Sequence, residues 1–205
     1  MLKIVSAEFM QGAVNTQQFP QSSVPEFAFF GRSNAGKSSL INMLLNRKNL
    51  VKTGSKPGMT KEINFFIVNG PAAAKQASLK TFCVADLPGY GFAQRSFSER
   101  NRIDKMLYGY CTARTQLKAL FFLMDIRRDP TETERHTLDF FKQHGIKTVL
   151  TATKSDKIGK TEQQQRITTL AAFFNCAKDG ILLTSSSKKT GREQLLNLIS
   201  GYLDS

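Results

Sequence analysis

The sequence predicts an α/β domain with a mostly parallel sheet, and two observations support this prediction. Short apolar runs typical of strands alternate along the chain with longer segments typical of helices. In addition, the first apolar run passes through a glycine-containing turn directly into a helical segment. In such sheets ligands bind beyond the carboxyl ends of the strands. The loops that follow the strands are therefore the expected places for function.

The elements follow from local composition in chain order. The compact apolar run 27–30, just after Pro25, predicts a buried strand, and residues 38–46 predict a helix. Residues 47–62 are basic, contain Gly and Pro and lack a clear period, which predicts a loop. The remaining strands are expected at 63–68, 79–85, 119–125, 147–152 and 181–184, and the remaining helices within 98–113 and at 131–144, 161–174 and 191–203.

The chain length suits a single domain. It has 205 residues, of which 40% are hydrophobic, so a full core can form. Residues 1–24 are polar with short apolar pieces and are expected to form an N-terminal extension that packs on the edge of a domain spanning 25–205.

The charge balance is strongly basic, with 29 Lys and Arg residues against 16 Asp and Glu residues and a net charge of +13. This excess favours association with a polyanion, such as nucleic acid, an RNA-rich particle or an anionic membrane surface; a merely soluble basic protein is the alternative. The three cysteines are widely spaced, which disfavours a disulfide framework or zinc site and suits a cytoplasmic location. No apolar run approaches the ~20 residues that span a bilayer, so no membrane insertion is expected.

Residues 31–38 match the phosphate-binding pattern GxxxxGK[ST] in full, between a predicted strand and a predicted helix. The backbone N–H groups of such a loop and the helix N-terminus surround phosphate groups. Lys37 is expected to reach the β- and γ-phosphates, and the Ser38 hydroxyl to bind magnesium. The loop consists of Gly31, Arg32, Ser33, Asn34, Ala35, Gly36, Lys37 and Ser38.

A second pattern, DxxG, follows the strand that ends at Ala85 and consists of Asp86, Leu87, Pro88 and Gly89. The Asp86 carboxylate is expected to hold magnesium through water, and the Gly89 N–H to contact the γ-phosphate.

Two further loops predict selectivity for guanine. The first resembles the [NT]KxD motif of GTPases and consists of Thr153, Lys154, Ser155 and Asp156. The Asp156 carboxylate can accept two hydrogen bonds from guanine, whereas adenine offers no such pair of donors. The second consists of Thr184, Ser185 and Ser186, whose backbone is expected to lie near the guanine O6.

A switch loop must also lie between the phosphate loop and Asp86. A threonine that binds magnesium only when the γ-phosphate is present is needed there, and Thr60 is the best candidate, with Thr53 as the alternative. The nucleotide-binding segment is expected to comprise Gly58, Met59, Thr60, Lys61 and Glu62.

With these motifs in this order, the sequence resembles the EngB (YihA/YsxC) family of bacterial P-loop GTPases. The narrower match rests on the strings GRSNAGKSSLIN at 31–42, KPGMT at 56–60 and DLPGYGFA at 86–93. The resemblance implies a Ras-like fold with six strands and binding of GTP or GDP with Mg²⁺, with Ser38 and Thr60 as metal ligands. It also implies a role in assembly of the large ribosomal subunit and in normal cell division and septation.

Hydrolysis is expected to be slow and to involve Lys37, Asn34, Thr60 and Gly89. Ras-like enzymes place a glutamine just after DxxG to orient the attacking water, and this chain has Tyr90 there. Asn34 matches GTPases in which an asparagine helps to bind K⁺, so K⁺ activation is a hypothesis; a purely structural role for Asn34 is the alternative. A P-loop ATPase or small-molecule kinase, and a binding module without turnover, remain alternatives to a GTPase. Nothing in the sequence requires a dimer, so a monomer is expected.

Overall fold

The computed structural model describes residues 2–51, 62–70, 79–90 and 97–204. In these ranges the chain forms one sheet with the strand order β1-β3-β4-β2-β5-β6-β7. β2, β4, β5, β6 and β7 run parallel to one another, whereas β3 is antiparallel to both β4 and β1. The strands are β1 (Ala7–Ala13), β2 (Glu26–Gly31), β3 (Ile63–Val68), β4 (Phe82–Asp86), β5 (Leu117–Asp125), β6 (Thr148–Thr153) and β7 (Leu182–Leu183).

Helices cover both faces of the sheet. They are α1 (Lys37–Leu45), α2 (Phe97–Ala113), α3 (Glu132–Gln143), α4 (Lys160–Phe174) and α5 (Arg192–Asp204). Helices α1 and α5 pack on one face, and α2, α3 and α4 pack on the other. The strand β2 shows why both faces are covered. Phe27 and Phe29 lie in the core beneath α1 and α5, whereas Ala28 and Phe30 lie in the core beneath α2, α3 and α4. Among the described residues, no helix is long and apolar enough to cross a membrane.

The predicted α/β class and the predicted order of strands and helices are confirmed, but the strand count of six was wrong. The seventh strand is β1, which lies within the segment 1–24 that the sequence predicted to be an extension. Its burial does not alternate, and its pairing with β3 is interrupted by a bulge at Met10, so the period of two that reveals a strand is lacking. The boundary at residue 25 stays a prediction.

A buried ion pair between Arg114 and Glu26 helps to hold the N-terminal segment against the rest of the domain. Glu26, at the start of β2, is 1% exposed and pairs with Arg114, which follows α2. The Arg114 Nη1 also donates to the Pro20 carbonyl at 2.9 Å, and the Tyr110 hydroxyl donates to Glu26 at 3.1 Å. These bonds satisfy a buried carboxylate and join the end of α2 to the N-terminal segment.

Candidate functional site

Loops from four parallel strands meet at one edge of the sheet. β2 leads into the phosphate loop, β4 ends at Asp86, β6 ends at Thr153 and β7 leads towards Thr184. Because these strands are parallel, their carboxyl ends lie on the same edge. The structure therefore brings together four of the predicted loops, which are 31–38, 86–89, 153–156 and 184–186.

The phosphate loop has the backbone of an anion-binding turn. Asn34 and Gly36 adopt left-handed conformations, with φ of 62° and 94°. Left-handed residues in such a loop turn successive N–H groups to one side and make a concave site for an anion. A side chain would be strained at Gly36, whereas Asn tolerates this conformation at position 34. Lys37 and Ser38 open α1, so their side chains lie at a helix N-terminus that favours phosphate.

The predicted guanine-binding segment 153–156, here called the guanine loop, contacts the phosphate loop 31–38 directly. The Thr153 Oγ1 donates to the Ala35 carbonyl at 2.6 Å, and the Lys154 Nζ donates to the Asn34 carbonyl at 2.6 Å. Lys154 itself has a left-handed φ of 59°, which turns its side chain back across the sheet edge. The two motifs thus form one continuous wall, although 118 and 120 residues separate the partners in these two bonds.

Asp125, at the end of β5, orients Lys154 and was missed as a functional residue by sequence reasoning. Its carboxylate accepts from the Lys154 Nζ at 3.0 Å and from two nitrogens of the Arg127 guanidinium at 2.9 and 2.6 Å. Burial alone would raise the pKa of Asp125, but the hydrogen bonds from Arg127 and Lys154 outweigh it and lower this pKa below its usual value. An anionic Asp125 therefore holds the Lys154 ammonium beside the phosphate loop. The sequence feature that could have identified Asp125 is its position directly after the apolar run 119–124.

Asp156 is oriented by the loop 184–186 that follows β7. The Ser185 Oγ donates to Asp156 Oδ1 at 2.6 Å, and the Ser155 N–H donates to the Thr184 carbonyl at 3.1 Å. The hydrogen bond from Ser185 is the main reason that the pKa of Asp156 lies below its usual value. The carboxylate is therefore ionised at neutral pH and able to accept two hydrogen bonds. Ser186, the third residue of the predicted loop, is half-buried beside Ser185.

Asp86 has the properties expected of a carboxylate near a metal ion. It is 1% exposed, and within the described ranges its Oδ1 has no hydrogen-bond partner. Burial raises its pKa to about 6, although the charge of Lys37 acts in the opposite direction. A buried carboxylate with an oxygen left over fits a divalent cation, and the Ser38 hydroxyl supplies an oxygen of the kind that Mg²⁺ prefers. Leu87 and Pro88, which follow Asp86, are buried.

Most of the predicted switch loop lies outside the part of the chain that the structure describes. Gly58, Met59, Thr60 and Lys61 lie outside the described residues, as does the alternative Thr53. Glu62 is described and precedes β3, where its carboxylate lies against Gly12 of β1: a Cβ added to Gly12 would come within 2.6 Å of the Glu62 Cδ.

The DxxG turn folds closely onto the phosphate loop. The Ser33 N–H donates to the Tyr90 carbonyl at 3.0 Å. A Cβ added to Gly89 would lie 3.1 Å from the Gly31 carbonyl oxygen and 3.2 Å from both the Lys37 Nζ and the Ser33 nitrogen. Only glycine fits this close approach without displacing its neighbours.

Comparison with known proteins places this site in a family context. Residues 26–154 match the family model described as "50S ribosome-binding GTPase". The chain is 54% identical over 209 residues to the "Probable GTP-binding protein EngB" of Treponema denticola, an alignment that covers 97% of this chain and 99% of the relative. It is 38% identical over 204 residues to the protein of the same name from Bacillus subtilis, with 99% and 100% covered.

Solved structures share the fold. A crystal structure of a probable GTP-binding protein EngB superimposes with a TM-score of 0.66 at 22% identity and covers 87% of this chain and 98% of that one. Aquifex aeolicus Era bound to GDP·AlF4⁻ gives a TM-score of 0.68 at 20% identity, with 86% and 56% covered. Era in complex with MgGDPNP and a segment of 16S ribosomal RNA gives 0.66 at 21% identity, with 87% and 56% covered. These likenesses confirm the Ras-like P-loop GTPase fold.

Proposed function

The chain belongs to the EngB family of GTP-binding proteins, and we propose that it is a Mg²⁺-dependent switch in assembly of the large ribosomal subunit. It is a GTPase, which converts GTP to GDP and phosphate. Family membership therefore favours a GTPase over the P-loop ATPase or small-molecule kinase that the phosphate loop alone left open. The finer parts of the proposal are the residue roles, the metal and the partner.

The proposed nucleotide binding is supported chiefly by the direct contact between the guanine loop and the phosphate loop. Lys154 reaches Asn34 while Asp156 is held by Ser185, so the base-reading carboxylate and the phosphate-binding backbone have a fixed relative position. A nucleotide that fits both must carry guanine at one end and phosphates at the other. We assign Asp156 to the guanine N1–H and amino group, and the Thr184–Ser186 backbone to O6.

At the phosphate end, Lys37 binds the β- and γ-phosphates and the Gly89 N–H binds the γ-phosphate in this proposal. Mg²⁺ is held by Ser38 and Thr60 directly and by Asp86 through water, an assignment that the unpartnered buried oxygen of Asp86 supports. When bound, Mg²⁺ would supply positive charge that neutralises the negative charge developing on the phosphates during hydrolysis.

Slow intrinsic hydrolysis follows from the position of Tyr90. Its hydroxyl donates to the Glu134 carboxylate at 2.8 Å and its ring stacks on Phe30, so this side chain does not orient a water molecule as a glutamine does. We propose that K⁺, bound with the help of Asn34, supplies positive charge near the phosphates instead. The exposed side chain and left-handed backbone of Asn34 leave it available for this role.

The net charge of +13 and the description of the matching family model support a partner rich in ribosomal RNA. We propose that this partner is the large ribosomal subunit or its precursor, bound by a monomer in the cytoplasm. The effect on cell division and septation would then follow from a shortage of ribosomes or from a separate contact.

Sedimentation with ribosomal particles tests the switch. The protein is incubated with purified large subunits, small subunits or neither, in GDP or in a non-hydrolysable GTP analogue, and pelleted at two salt concentrations. Nucleotide-dependent pelleting with large subunits alone supports the proposal. Pelleting that is equal with both subunits, independent of nucleotide and abolished by salt would show non-specific electrostatic binding. This result would contradict the proposal.

A further inference from the structure

The side chain of Tyr90 is held at both its ring and its hydroxyl. The ring stacks on Phe30 at a centroid distance of 5.4 Å and an interplanar angle of 28°, and on Phe122 at 6.4 Å and 23°. The hydroxyl donates to Glu134 Oε1 at 2.8 Å. Burial, together with the neighbouring Glu134 carboxylate, raises the pKa of Tyr90 well above its usual value, so the hydroxyl stays a donor at physiological pH.

Glu134 is itself fixed in place by the start of α3. It is 5% exposed, and its Oε2 accepts from the Thr131 backbone N–H at 2.7 Å and from the Thr131 Oγ1 at 3.0 Å. These bonds form a capping box at the N-terminus of the helix. One carboxylate thus caps α3 with one oxygen and holds Tyr90 with the other. A rigid helix is therefore linked to the residue that directly follows the DxxG turn.

The DxxG turn packs directly against the phosphate loop. A γ-phosphate must accept from both the Lys37 Nζ and the Gly89 N–H. A carbon added to Gly89 would be 3.2 Å from the Lys37 Nζ and from the Ser33 nitrogen, so the turn lies in close contact with the loop beside these proposed phosphate-binding groups. Any movement of Gly89 away from the loop when a triphosphate binds also breaks the bond between the Ser33 N–H and the Tyr90 carbonyl.

We infer that Tyr90 and Glu134 are positioning residues that hold the DxxG turn against the phosphate loop and so set the ratio of the affinities for GDP and GTP. The Tyr90–Glu134 hydrogen bond favours the conformation in which Gly89 lies against Lys37, because outward movement of the Gly89–Tyr90 backbone pulls on a side chain that is fixed at its far end. This inference rests on the roles proposed above for Lys37 and Gly89. It adds two residues, one of them on α3, that touch neither phosphate nor base.

The test compares dissociation constants for GDP and for a non-hydrolysable GTP analogue, both with Mg²⁺. Tyr90→Phe keeps the stacked ring and removes only the hydroxyl. Glu134→Gln keeps the shape and one capping oxygen but weakens the acceptor. A hydrogen bond to a charged group limits the effect to roughly tenfold or somewhat more. In the proposed function only a triphosphate reaches the Gly89 N–H, so we expect either variant to change the ratio of the two constants about tenfold.

A matched control separates positioning from helix stability. Thr131→Val removes the Oγ1 bond of the same capping box but leaves the Tyr90–Glu134 bond in place. This variant should unfold at lower urea concentration and keep the wild-type ratio. In the double variant Tyr90→Phe/Glu134→Gln the shift should be no larger than in either single variant, because both remove one bond.

Each outcome is decisive. Ratios within twofold of wild type for Tyr90→Phe would overturn the inference and leave the GTPase assignment intact. An equal shift in Thr131→Val would also overturn it, by assigning the effect to α3 stability. A wild-type protein that bound neither nucleotide would refute the proposed function and the inference together.

Discussion

Replacing Lys154 with methionine tests whether the link between the guanine and phosphate loops contributes to nucleotide binding. Methionine keeps most of the aliphatic stem that can lie against the base but removes the ammonium group, which donates to Asn34 at 2.6 Å and to Asp125 at 3.0 Å. Asp125 keeps two bonds from the Arg127 guanidinium, so the main loss falls on the Asn34 carbonyl. A hydrogen bond from a charged donor contributes about 1.5–3 kcal/mol, so GDP affinity should fall by about tenfold or more.

The assay is titration of a fluorescent GDP with wild-type and variant protein in Mg²⁺, with urea unfolding of the nucleotide-free proteins as a check on folding. Lys157→Met is the matched control, because it is the same substitution three residues along the chain. The Lys157 ammonium is 3.6 Å from Asp156 Oδ2 and its side chain is 58% exposed. An exposed pair of this kind contributes little, so the control should bind GDP within about twofold of wild type. Affinity of Lys154→Met within that same range would refute the structural role assigned to the link.

Three further predictions concern the base, the cation and the buried ion pair. Asp156→Ala should abolish the advantage of GTP over ATP in competition against fluorescent GDP and weaken GDP by at least about tenfold, since two hydrogen bonds to the base are lost; retained discrimination would show that the base is read elsewhere. Turnover should be faster in KCl than in NaCl at equal ionic strength, and Asn34→Ala should remove the difference; equal rates for the wild type would eliminate K⁺ activation. Arg114→Met should lower the free energy of unfolding by about 3–5 kcal/mol because it leaves the buried Glu26 carboxylate without its charged partner. Lys80→Met, which breaks an exposed pair, should change it by less than about 1 kcal/mol; similar losses in both would contradict the argument from burial.

Sequence patterns were sufficient where the information is local. The apolar runs at 63–68 and 119–125 and the helical segment at 161–174 lie within two residues of β3, β5 and α4. The strand predicted at 79–85 is observed as Phe82–Asp86, displaced towards its carboxyl end. The predicted phosphate and guanine motifs also lie at the ends of strands, because a glycine-containing loop and a short polar motif have a recognisable spacing.

Contacts between distant parts of the chain could not be read in this way. The strand β1 has neither alternation nor a turn signal of its own, and it forms because β3 offers a free edge. The buried partners Glu26 and Arg114 are 88 residues apart, and Tyr90 and Glu134 are 44 apart. No periodicity in the sequence connects such pairs, since their proximity depends on the order of strands in the sheet.

Local patterns were sufficient to predict the α/β class, the order of elements and the positions of the phosphate loop and of Asp156 after their strands. Each of these depends on a residue and its near neighbours, whose backbone preferences and hydrogen-bonding groups are properties of a short segment. The folded chain was needed to show that Lys154 joins two loops, that Asp125 orients it and that Glu134 holds Tyr90. These bonds exist because parallel strands bring their carboxyl ends to one edge, and that arrangement is a property of the whole sheet.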